Sequence, residues 1–258
     1  MKVVILCGGK GTRLREETEY RPKPLVPIGD MPILWHIMKL YSHYGYKDFV
    51  LCLGYRGDMI RQFFLNFEEM VNDFTLHLRS HQSRVEYHGA CLEDWRITFV
   101  NTGLETQTGD RIAQIERYVQ GESFHLTYGD GLSNVDIQKL TEFHRQKGKI
   151  LTLTGVCPES VFGIVEHEDG VVKSFKEKPR TDTTINGGFF VCEPSIFQYL
   201  NAPAPCVFEQ EPMRRLAADN QLAIHEHRDF WYCMDTHKQY LELNKRWSDG
   251  AAPWHVWK

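Results

Sequence analysis

A glycine-rich loop near the start of the chain carries the residue types that bind a polyphosphate. Gly8, Gly9 and Gly11 follow an apolar run of the kind that forms a buried strand, and Thr12 and Arg13 come directly after them. Glycines allow a ligand to approach the backbone, and amides freed at such a turn attract anions. Thr12 adds a hydroxyl, and Arg13 adds a fixed cation. The pattern favours a polyphosphate loop over the alternative, a tight strand-to-helix turn without function.

Three charged residues farther along the chain extend this set. Lys23 lies between Pro22 and Pro24, which stiffen the loop and fix the direction of its side chain. Asp130 follows a predicted strand and lies between two glycines, at the strand end where open α/β sheets bind ligands. It is the best single metal candidate in the sequence, and an ordinary turn aspartate is the alternative. Asp235 is predicted as the N-terminal residue of the last helix.

The sequence lacks the signatures of several common nucleotide and metal sites. Leu14 occupies the position of the third glycine in G-x-G-x-x-G, and no P-loop lysine follows the glycines. A dinucleotide-binding fold and a P-loop ATPase are therefore disfavoured. His225 and His227 would share one face of a strand, but no third ligand accompanies them, so a zinc site is disfavoured as well.

Composition and charge restrict the class of protein further. The 258 residues are 42% hydrophobic, which is ample for a core, and the net charge of −4 disfavours nucleic acid or a membrane surface as a partner. Seven cysteines without a C-x-x-C pair favour the reducing cytoplasm over a disulfide scaffold. We expect no signal peptide and no membrane-spanning segment, because the apolar runs are too short.

The periodicity of the apolar residues predicts an α/β protein. Val3–Cys7 and residues 49–53 are typical of buried strands, and a helical pattern follows each, as in a parallel sheet covered by helices. Residues 72–101 resemble exposed strands and predict a projecting β arm. Later in the chain a hairpin is predicted at 162–175, and Leu222–His227 is predicted as an edge strand.

Six short motifs together resemble the sugar-1-phosphate nucleotidyltransferases. In that family's order, the sequence contains GGKGTRL, RPKPLVPIG, YGDG, EKP at 177–179, INGGFFV and MDT. Other segments, including GYRGDMI and APWHVW, are most similar to the cytidylyltransferases of the family that act on glucose 1-phosphate. The resemblance covers nearly the whole chain. It implies one Rossmann-like nucleotidyltransferase domain over 1–258, with a mixed, mainly parallel central sheet flanked by helices and a sugar-binding half at 157–235.

The resemblance also implies a reaction. A cytidylyl group passes from CTP to α-D-glucose 1-phosphate, giving CDP-glucose and pyrophosphate in a Mg²⁺-dependent in-line displacement. A sugar phosphate is largely dianionic at neutral pH, since its second pKa is about 6, so no general base is expected. Another sugar 1-phosphate, or UTP or dTTP, is an alternative within the same chemistry. A binding protein without catalysis is disfavoured, because the charged residues of the family are all present.

The resemblance assigns roles to individual residues. The catalytic residues are expected to be Arg13, Lys23, Asp130 and Asp235, and the two aspartates are expected to hold Mg²⁺. The residues expected to contact the sugar phosphate are Glu177, Lys178, Asn186 and Gly187. The residues expected to contact the nucleotide are Leu6, Gly8, Gly9, Gly11, Thr12, Arg13, Lys23, Thr106, Arg111 and Gly129.

Three departures from the family's pattern leave the base and the sugar open. Cys7 replaces an alanine before the glycines. Asp110 replaces a glycine, where it can pair with Arg111 and alter base contacts. Val207 and Phe208 replace a tryptophan-containing pattern close to the expected sugar.

The resemblance further implies a homo-oligomer, specifically a hexamer, and a role in the biosynthesis of 3,6-dideoxyhexoses or other surface polysaccharides. The segment 72–101 is a candidate for assembly. Trp254 and Trp257 predict that the C-terminal tail docks either onto this chain or onto another subunit.

Overall fold

The fold alternates strands and helices over most of its length. The computed structural model describes residues 1–78, 84–89, 93–119, 121–159, 162–177, 183–200 and 205–257. The strands are β1 (Val3–Cys7), β2 (Pro27–Ile28), β3 (Met31–Pro32), β4 (Asp48–Leu53), β5 (Phe74–His77), β6 (Arg84–Tyr87), β7 (Arg96–Asn101), β8 (Phe124–Tyr128), β9 (Gly131–Ser133), β10 (Leu151–Val156), β11 (Ile164–Glu168), β12 (Val171–Lys176), β13 (Ile185–Cys192), β14 (Leu222–His227) and β15 (Trp231–Cys233).

The helices lie between these strands. The α-helices are α1 (Arg15–Thr18), α2 (Ile33–His43), α3 (Gly57–Leu65), α4 (Phe67–Val71), α5 (Thr108–Ala113), α6 (Glu116–Val119), α7 (Ile137–Lys147), α8 (Glu211–Ala218) and α9 (His237–Ser248). Short 3-10 helices cover Thr12–Leu14, Lys23–Leu25 and Pro194–Tyr199.

In the described residues, seven strands form one central sheet in the order β14-β10-β13-β8-β1-β4-β7. Parallel pairs join β1 to β4 and β8, β4 to β7, and β10 to β14, whereas β13 runs antiparallel to both of its neighbours. The mixed, mainly parallel sheet that we predicted is therefore confirmed. The strand at Leu222–His227 is an edge strand, also as predicted.

Both faces of the central sheet are covered. Alternate residues of β1 illustrate this, since Ile5 packs into one apolar cluster and Val4 and Leu6 pack into another on the opposite face. Strands buried on both faces read as continuous apolar runs, which is why β1 and β4 were recognisable in the sequence.

Local signals set the ends of the flanking helices. Asp136 precedes α7 and its side chain accepts a hydrogen bond from the Lys139 N–H at 2.9 Å, which is a favourable N-cap. Gly148 follows α7 with φ of 57°, the left-handed conformation that glycine adopts readily. Thr236 caps α9 in the same way through a capping box with Gln239.

The segment predicted as a β arm divides into two structural parts. β5 and β6 pair with each other in a separate two-stranded sheet, which stays compatible with the predicted arm. β7 instead pairs with β4 and forms an edge of the central sheet, so the prediction is wrong for residues 96–101. β7 resembled the exposed strands of an arm because it lies at the edge of the sheet, where most of its residues are partly or fully exposed. The predicted hairpin at 162–175 is confirmed by β11 and β12.

The C-terminal tail docks onto this chain. Trp254 is 1% exposed, and its indole N–H donates to Nδ1 of His36 on α2 at 3.4 Å. The other ring nitrogen of His36 bonds the Ile28 carbonyl at 2.9 Å. Burial lowers the pKa of His36 to about 4, so the ring is neutral at pH 7 and able to accept from Trp254. The first of the two predicted docking modes is the one observed.

Among the helices of the described residues, none combines the length and the apolar character that crossing a bilayer requires.

Candidate active site

The loops that carry the candidate residues leave the same edge of the central sheet. β1 lies between β4 and β8, and all three run parallel, so their carboxyl ends are side by side. The glycine loop follows β1, and Asp130 follows β8. Loops at adjacent carboxyl ends are where open α/β sheets bind ligands, so the topology alone brings these two loops together.

A first cavity of about 350 Å³ opens at this edge. All ten residues that we predicted to contact a nucleotide line it, from Leu6 in β1 to Gly129 after β8. The same cavity is also lined by Cys7, Pro24, Gln107, Thr108, Tyr128 and Asp130. Backbone and small polar groups predominate on the side of the glycine loop, as expected for a site that binds phosphate through amides.

A buried guanidinium fixes the shape of the first cavity. Arg111 is 4% exposed, and burial lowers its pKa from the ordinary value. Its N–H groups donate to the Thr102 hydroxyl and to the carbonyl oxygens of Gly8, Leu53, Gly103 and Leu104. Arg111 therefore ties the glycine loop to the loop that follows β7, and its main contribution is to hold both loops in position.

The suggested pairing of Asp110 with Arg111 is replaced by a different contact. The Asp110 carboxylate accepts from the Cys206 N–H at 3.0 Å, and the Gly109 N–H donates to the Cys206 carbonyl at 2.9 Å. Consecutive residues of a helix point in different directions, so Asp110 and Arg111 face different neighbours. The departure at position 110 thus fastens the segment beginning at Cys206 to the start of α5.

Different reasons account for glycine at the three positions of the loop. A Cβ atom on Gly8 would lie 2.1 Å from Nη1 of Arg111, so any other residue there would displace the buried guanidinium from its hydrogen bonds. Gly11 has φ of 63° and precedes the 3-10 turn Thr12–Leu14. A Cβ atom on Gly9 would meet nothing within 4 Å, so this position is open toward the cavity. No packing constraint therefore explains glycine at position 9, and close approach of a ligand is the explanation that remains.

Four charged groups meet at the rim of the first cavity. The Lys23 ammonium lies 2.7 Å from Oδ2 of Asp130 and 2.7 Å from Oδ1 of Asp235. Arg13 reaches the same Oδ1 of Asp235 at 2.9 Å, with a side chain that is 74% exposed. The structure thus brings together the four residues that we predicted to be catalytic. Lys23 is mostly buried, whereas Arg13 extends into solvent, where a ligand can displace it from Asp235.

A small antiparallel pair explains how two distant aspartates meet. β9 follows Asp130 directly and pairs with β15, which is followed two residues later by Asp235. The Met234 N–H donates to the carbonyl of Asp130 at 2.9 Å and extends this pairing to the site itself. Asp235 was predicted to begin the last helix, but Thr236 is the N-cap, so Asp235 lies just outside the helix with its carboxylate turned toward Lys23.

The contacts within this group favour the charged forms of Lys23 and Asp235. Burial alone would lower the pKa of Lys23, but the charge of Asp130 and the hydrogen bonds to Asp130 and Asp235 together raise it. Burial alone would raise the pKa of Asp235, but the hydrogen bond and charge of Lys23 lower it below the ordinary value. Lys23 as ammonium and Asp235 as carboxylate are therefore the forms present across the neutral pH range.

The oxygen ligands at the site fit a hard divalent cation. Asp130, Cys233 and Asp235 each place a ligand atom within 4.8 Å of the others. Burial raises the pKa of the Cys233 thiol, which makes its sulfur a poor ligand, while the two carboxylates are the ligand type that Mg²⁺ prefers. The donor set thus agrees with the aspartate pair that the resemblance implies.

A second cavity of about 310 Å³ adjoins the charged group. Its walls come from β8, β13 and β15, and they include Asn186, Gly187 and Trp231. The indole N–H of Trp231 donates to the Gly187 carbonyl at 2.7 Å, and the Asn186 side-chain oxygen accepts from the Gly188 N–H at 2.9 Å. An aromatic wall with polar groups around it is typical of a site for a polar, non-planar ligand such as a sugar.

The two cavities share Arg13, Tyr128 and Asp130. A ligand in the first cavity and a ligand in the second would therefore meet at the charged group. Two cations at that point can reduce the repulsion between two anions, and the cavities can orient the reacting atoms. The arrangement is suited to a transfer reaction between two phosphorylated compounds.

Several predicted positions lie elsewhere. Glu177 follows β12 directly and is exposed, and it does not line either cavity. Lys178 lies outside the described residues. Phe208 is fully buried and its ring packs on Phe190, so it belongs to the core, although Val207 and Phe208 were expected near a sugar.

Several residues of the site were not assigned a role from the sequence. Among them, Tyr128 lines both cavities, Thr108 lines the first, and Trp231 and Cys233 line the second. Tyr128 could have been identified, because it belongs to the YGDG motif beside Asp130. Trp231 and Cys233 carried a weaker signal, since their role depends on the pairing of β15 with β9.

The geometry and the sequence comparisons define the class of this protein. The family described as nucleotidyl transferase matches residues 2–250. The chain belongs to this nucleotidyl transferase family, and the protein is a nucleotidyltransferase enzyme.

Full-length relatives give a finer similarity. The chain is 48% identical over 257 residues to a protein of Bacillus subtilis (strain 168) named probable glucose-1-phosphate cytidylyltransferase, and the match covers 100% of each chain. It is 45% identical over 260 residues to the glucose-1-phosphate cytidylyltransferase of Salmonella typhimurium, again with 100% of each chain covered. The crystal structure of UDP-glucose pyrophosphorylase complexed with UDP-glucose has the same fold, with a TM-score of 0.67 and 16% identity over 96% of this chain and 98% of that chain.

Proposed function

We propose that the protein transfers a cytidylyl group from CTP to α-D-glucose 1-phosphate, giving CDP-glucose and pyrophosphate in a Mg²⁺-dependent reaction. The observation that carries the proposal is the convergence of Arg13, Lys23, Asp130 and Asp235 where the two cavities join. The choice of CTP and glucose 1-phosphate is supported by the names of the full-length relatives.

The first cavity would bind the nucleotide. The amides of the glycine loop and the Thr12 hydroxyl would donate to the phosphates, and Arg13 and Lys23 would offset the triphosphate charge. The ammonium of Lys23 is already held at fixed distances from two carboxylates, so little reorganisation is required when charge develops on the α-phosphate.

The second cavity would bind the sugar phosphate with its phosphate turned toward the charged group. An oxygen of that phosphate forms a bond to the α-phosphorus of CTP, while the bond from the α-phosphorus to the bridging oxygen of the β-phosphate breaks and pyrophosphate leaves. The attacking phosphate is largely dianionic at pH 7, with a second pKa of about 6, so the protein need not remove a proton. Its tasks are orientation and charge stabilisation.

Asp130 and Asp235 would hold Mg²⁺. When bound, the ion supplies charge neutralisation at the phosphate oxygens. Lys23 contacts both aspartates and would keep their carboxylates oriented. Asn186 and Gly187, which line the second cavity, would contact the sugar phosphate, together with Lys178 from the segment between β12 and β13. Glu177 would not, because it lines neither cavity. In this proposal residues 157–235 form the main part of the sugar side of a single domain spanning 1–258.

Pyrophosphate release measured for dTTP and each of the four NTPs, with several sugar 1-phosphates, tests the proposal. We expect CTP with glucose 1-phosphate to give the highest kcat/KM and EDTA to abolish turnover, with recovery on adding Mg²⁺. Higher kcat/KM with UTP or dTTP, or with another sugar phosphate, would replace the proposed substrates while keeping the reaction. Absence of pyrophosphate release with every pair would reject a transferase.

We propose further that the protein works as a cytoplasmic homo-oligomer, and specifically as a hexamer. The six cysteines in the described part of the chain are all free, which suits a reducing compartment. Phe74, Leu76 and Leu78 are exposed apolar residues in and beside β5, and association would remove them from water. Sedimentation equilibrium gives the mass directly, and a monomer at micromolar concentration would contradict the assembly.

A further inference from the structure

One carboxylate outside both cavities is bonded to residues that line them. Glu209 lies in the segment before α8 and lines neither cavity. Its carboxylate accepts from the hydroxyl of Tyr128, which lines both cavities, and from the hydroxyl of Thr108 at 2.7 Å. Thr108 lines the first cavity alone. The single acid thus connects the wall between the two cavities with the far side of the first.

The position of Glu209 is determined by the start of α5. The Phe208 N–H donates to the Thr108 hydroxyl oxygen at 2.9 Å, which leaves the hydroxyl proton of Thr108 for Glu209. The contacts of Cys206 with Gly109 and Asp110 hold the same segment three residues before Glu209. The acceptor is therefore held in place before any ligand binds.

Tyr128 connects this acid to the second cavity. It lines both cavities, and its hydroxyl donates to the Glu209 carboxylate. A chain of hydrogen bonds therefore runs from Tyr128, in the wall that the two cavities share, through Glu209 to Thr108 in the first cavity.

We propose that Glu209 is a positioning residue that sets the relative placement of the two substrates, by orienting Tyr128 between the cavities and Thr108 in the first. The inference rests on the proposed function for the identity of the substrates. It goes beyond that function because Glu209 would act through Tyr128 and Thr108 without touching either substrate.

Substrate-specific KM values for a set of variants test this role. In Glu209→Ala we expect KM for both substrates to rise about tenfold, because a bond to a charged acceptor is lost on each side, with kcat within about twofold. Tyr128→Phe should raise both KM values about fivefold. Thr108→Val should raise KM for the nucleotide alone by about fivefold, and Thr108→Ser, which keeps the hydroxyl, should restore it.

Glu211→Gln is the matched control, because Glu211 is an exposed acid two residues away, in the first turn of α8. Its KM values should equal those of the unmodified protein. A double variant Tyr128→Phe with Glu209→Ala should have no higher KM for the sugar phosphate than Glu209→Ala alone, since both changes break the same bond.

Two outcomes would overturn the inference. One is KM values in Glu209→Ala within twofold of the unmodified protein, including the case where only the melting temperature falls. The other is independent, multiplicative effects of Tyr128→Phe and Glu209→Ala. All measurements use the substrate pair with the highest kcat/KM for the unmodified protein, so a pair other than CTP and glucose 1-phosphate would correct the proposed function while Glu209 is still tested.

Discussion

The two cavities are built from different parts of the chain. The first presents mainly the backbone of the glycine loop, with Arg111 behind it bonded to carbonyl oxygens. The second presents side chains, among them Asn186 and Trp231. In the first cavity the shape depends on what packs behind the lining, whereas in the second it depends on the lining residues themselves. Substitutions should therefore affect the first cavity through folding and the second through affinity.

The largest expected effect is at the point that the cavities share. Asp130→Asn removes one of two carboxylates beside Lys23, and we expect kcat to fall by about three orders of magnitude or more with the fold retained, as for the loss of a central electrostatic group. Steady-state kinetics and circular dichroism measure the two quantities. Asp58→Asn, an exposed acid in the first turn of α3, is the control. Near-normal kcat in Asp130→Asn would remove Asp130 from the reacting centre.

A paired glycine substitution tests whether packing sets the shape of the first cavity. In Gly8→Ala the new Cβ would overlap the Arg111 guanidinium, and we expect a loss of about 1–3 kcal/mol in the free energy of unfolding together with a raised KM for the nucleotide. In Gly9→Ala the new atom has no protein neighbour, so stability should be unchanged while KM for the nucleotide rises. Urea denaturation gives the free energy of unfolding of each variant, and steady-state kinetics gives the KM for the nucleotide. Equal stability of both variants would contradict the role of Arg111 as a support.

The pH dependence of the reaction distinguishes protein groups from substrate groups at the junction of the cavities. The raised pKa of Lys23 and the lowered pKa of Asp235 keep both charged from about pH 5 to pH 9. The acid limb of kcat/KM for the sugar phosphate should therefore follow the substrate, falling about tenfold per pH unit below about pH 6 as the dianion takes up a proton.

A phosphonate analogue of the sugar phosphate, which has a higher second pKa, provides the comparison for this profile. The acid limb should move to higher pH with the analogue. A limb at the same pH for both substrates would assign it to a protein group instead.

The smallest effect is expected in the second cavity. Trp231→Phe keeps an aromatic wall but removes the N–H that donates to the Gly187 carbonyl. We expect KM for the sugar phosphate to rise about threefold to tenfold, because a buried carbonyl loses its partner, while KM for the nucleotide stays constant and serves as the internal control. Equal increases in both KM values would mean that a change in the second cavity also affects binding in the first.

The contrast between the cavities also explains what the sequence could reveal. The first cavity was predictable because Gly8 to Arg13 are contiguous and their residue types indicate phosphate binding directly. The buried strands β1 and β4 were predictable for the same reason, since continuous apolar runs indicate strands covered on both faces.

The parts that were not predictable depend on contacts between distant segments. Trp231 and Cys233 belong to β15, a strand of three residues that is too short to carry a periodic signal. The sequence suggested a pairing of Asp110 with Arg111, and only the position of Cys206 shows that Asp110 bonds the Cys206 N–H instead. β7 was mistaken for part of an arm, because most residues of this edge strand are partly or fully exposed, as they are in an exposed hairpin.

The pairing of β9 with β15 has a consequence for biosynthesis. A nascent polypeptide can fold its glycine loop and β8 early, since N-terminal parts emerge from the ribosome first. The second acidic group, Asp235, arrives only when about nine-tenths of the polypeptide has been made. A chain that stops before Asp235 would lack one of the two carboxylates beside Lys23, so we expect catalytic activity only when synthesis is almost complete.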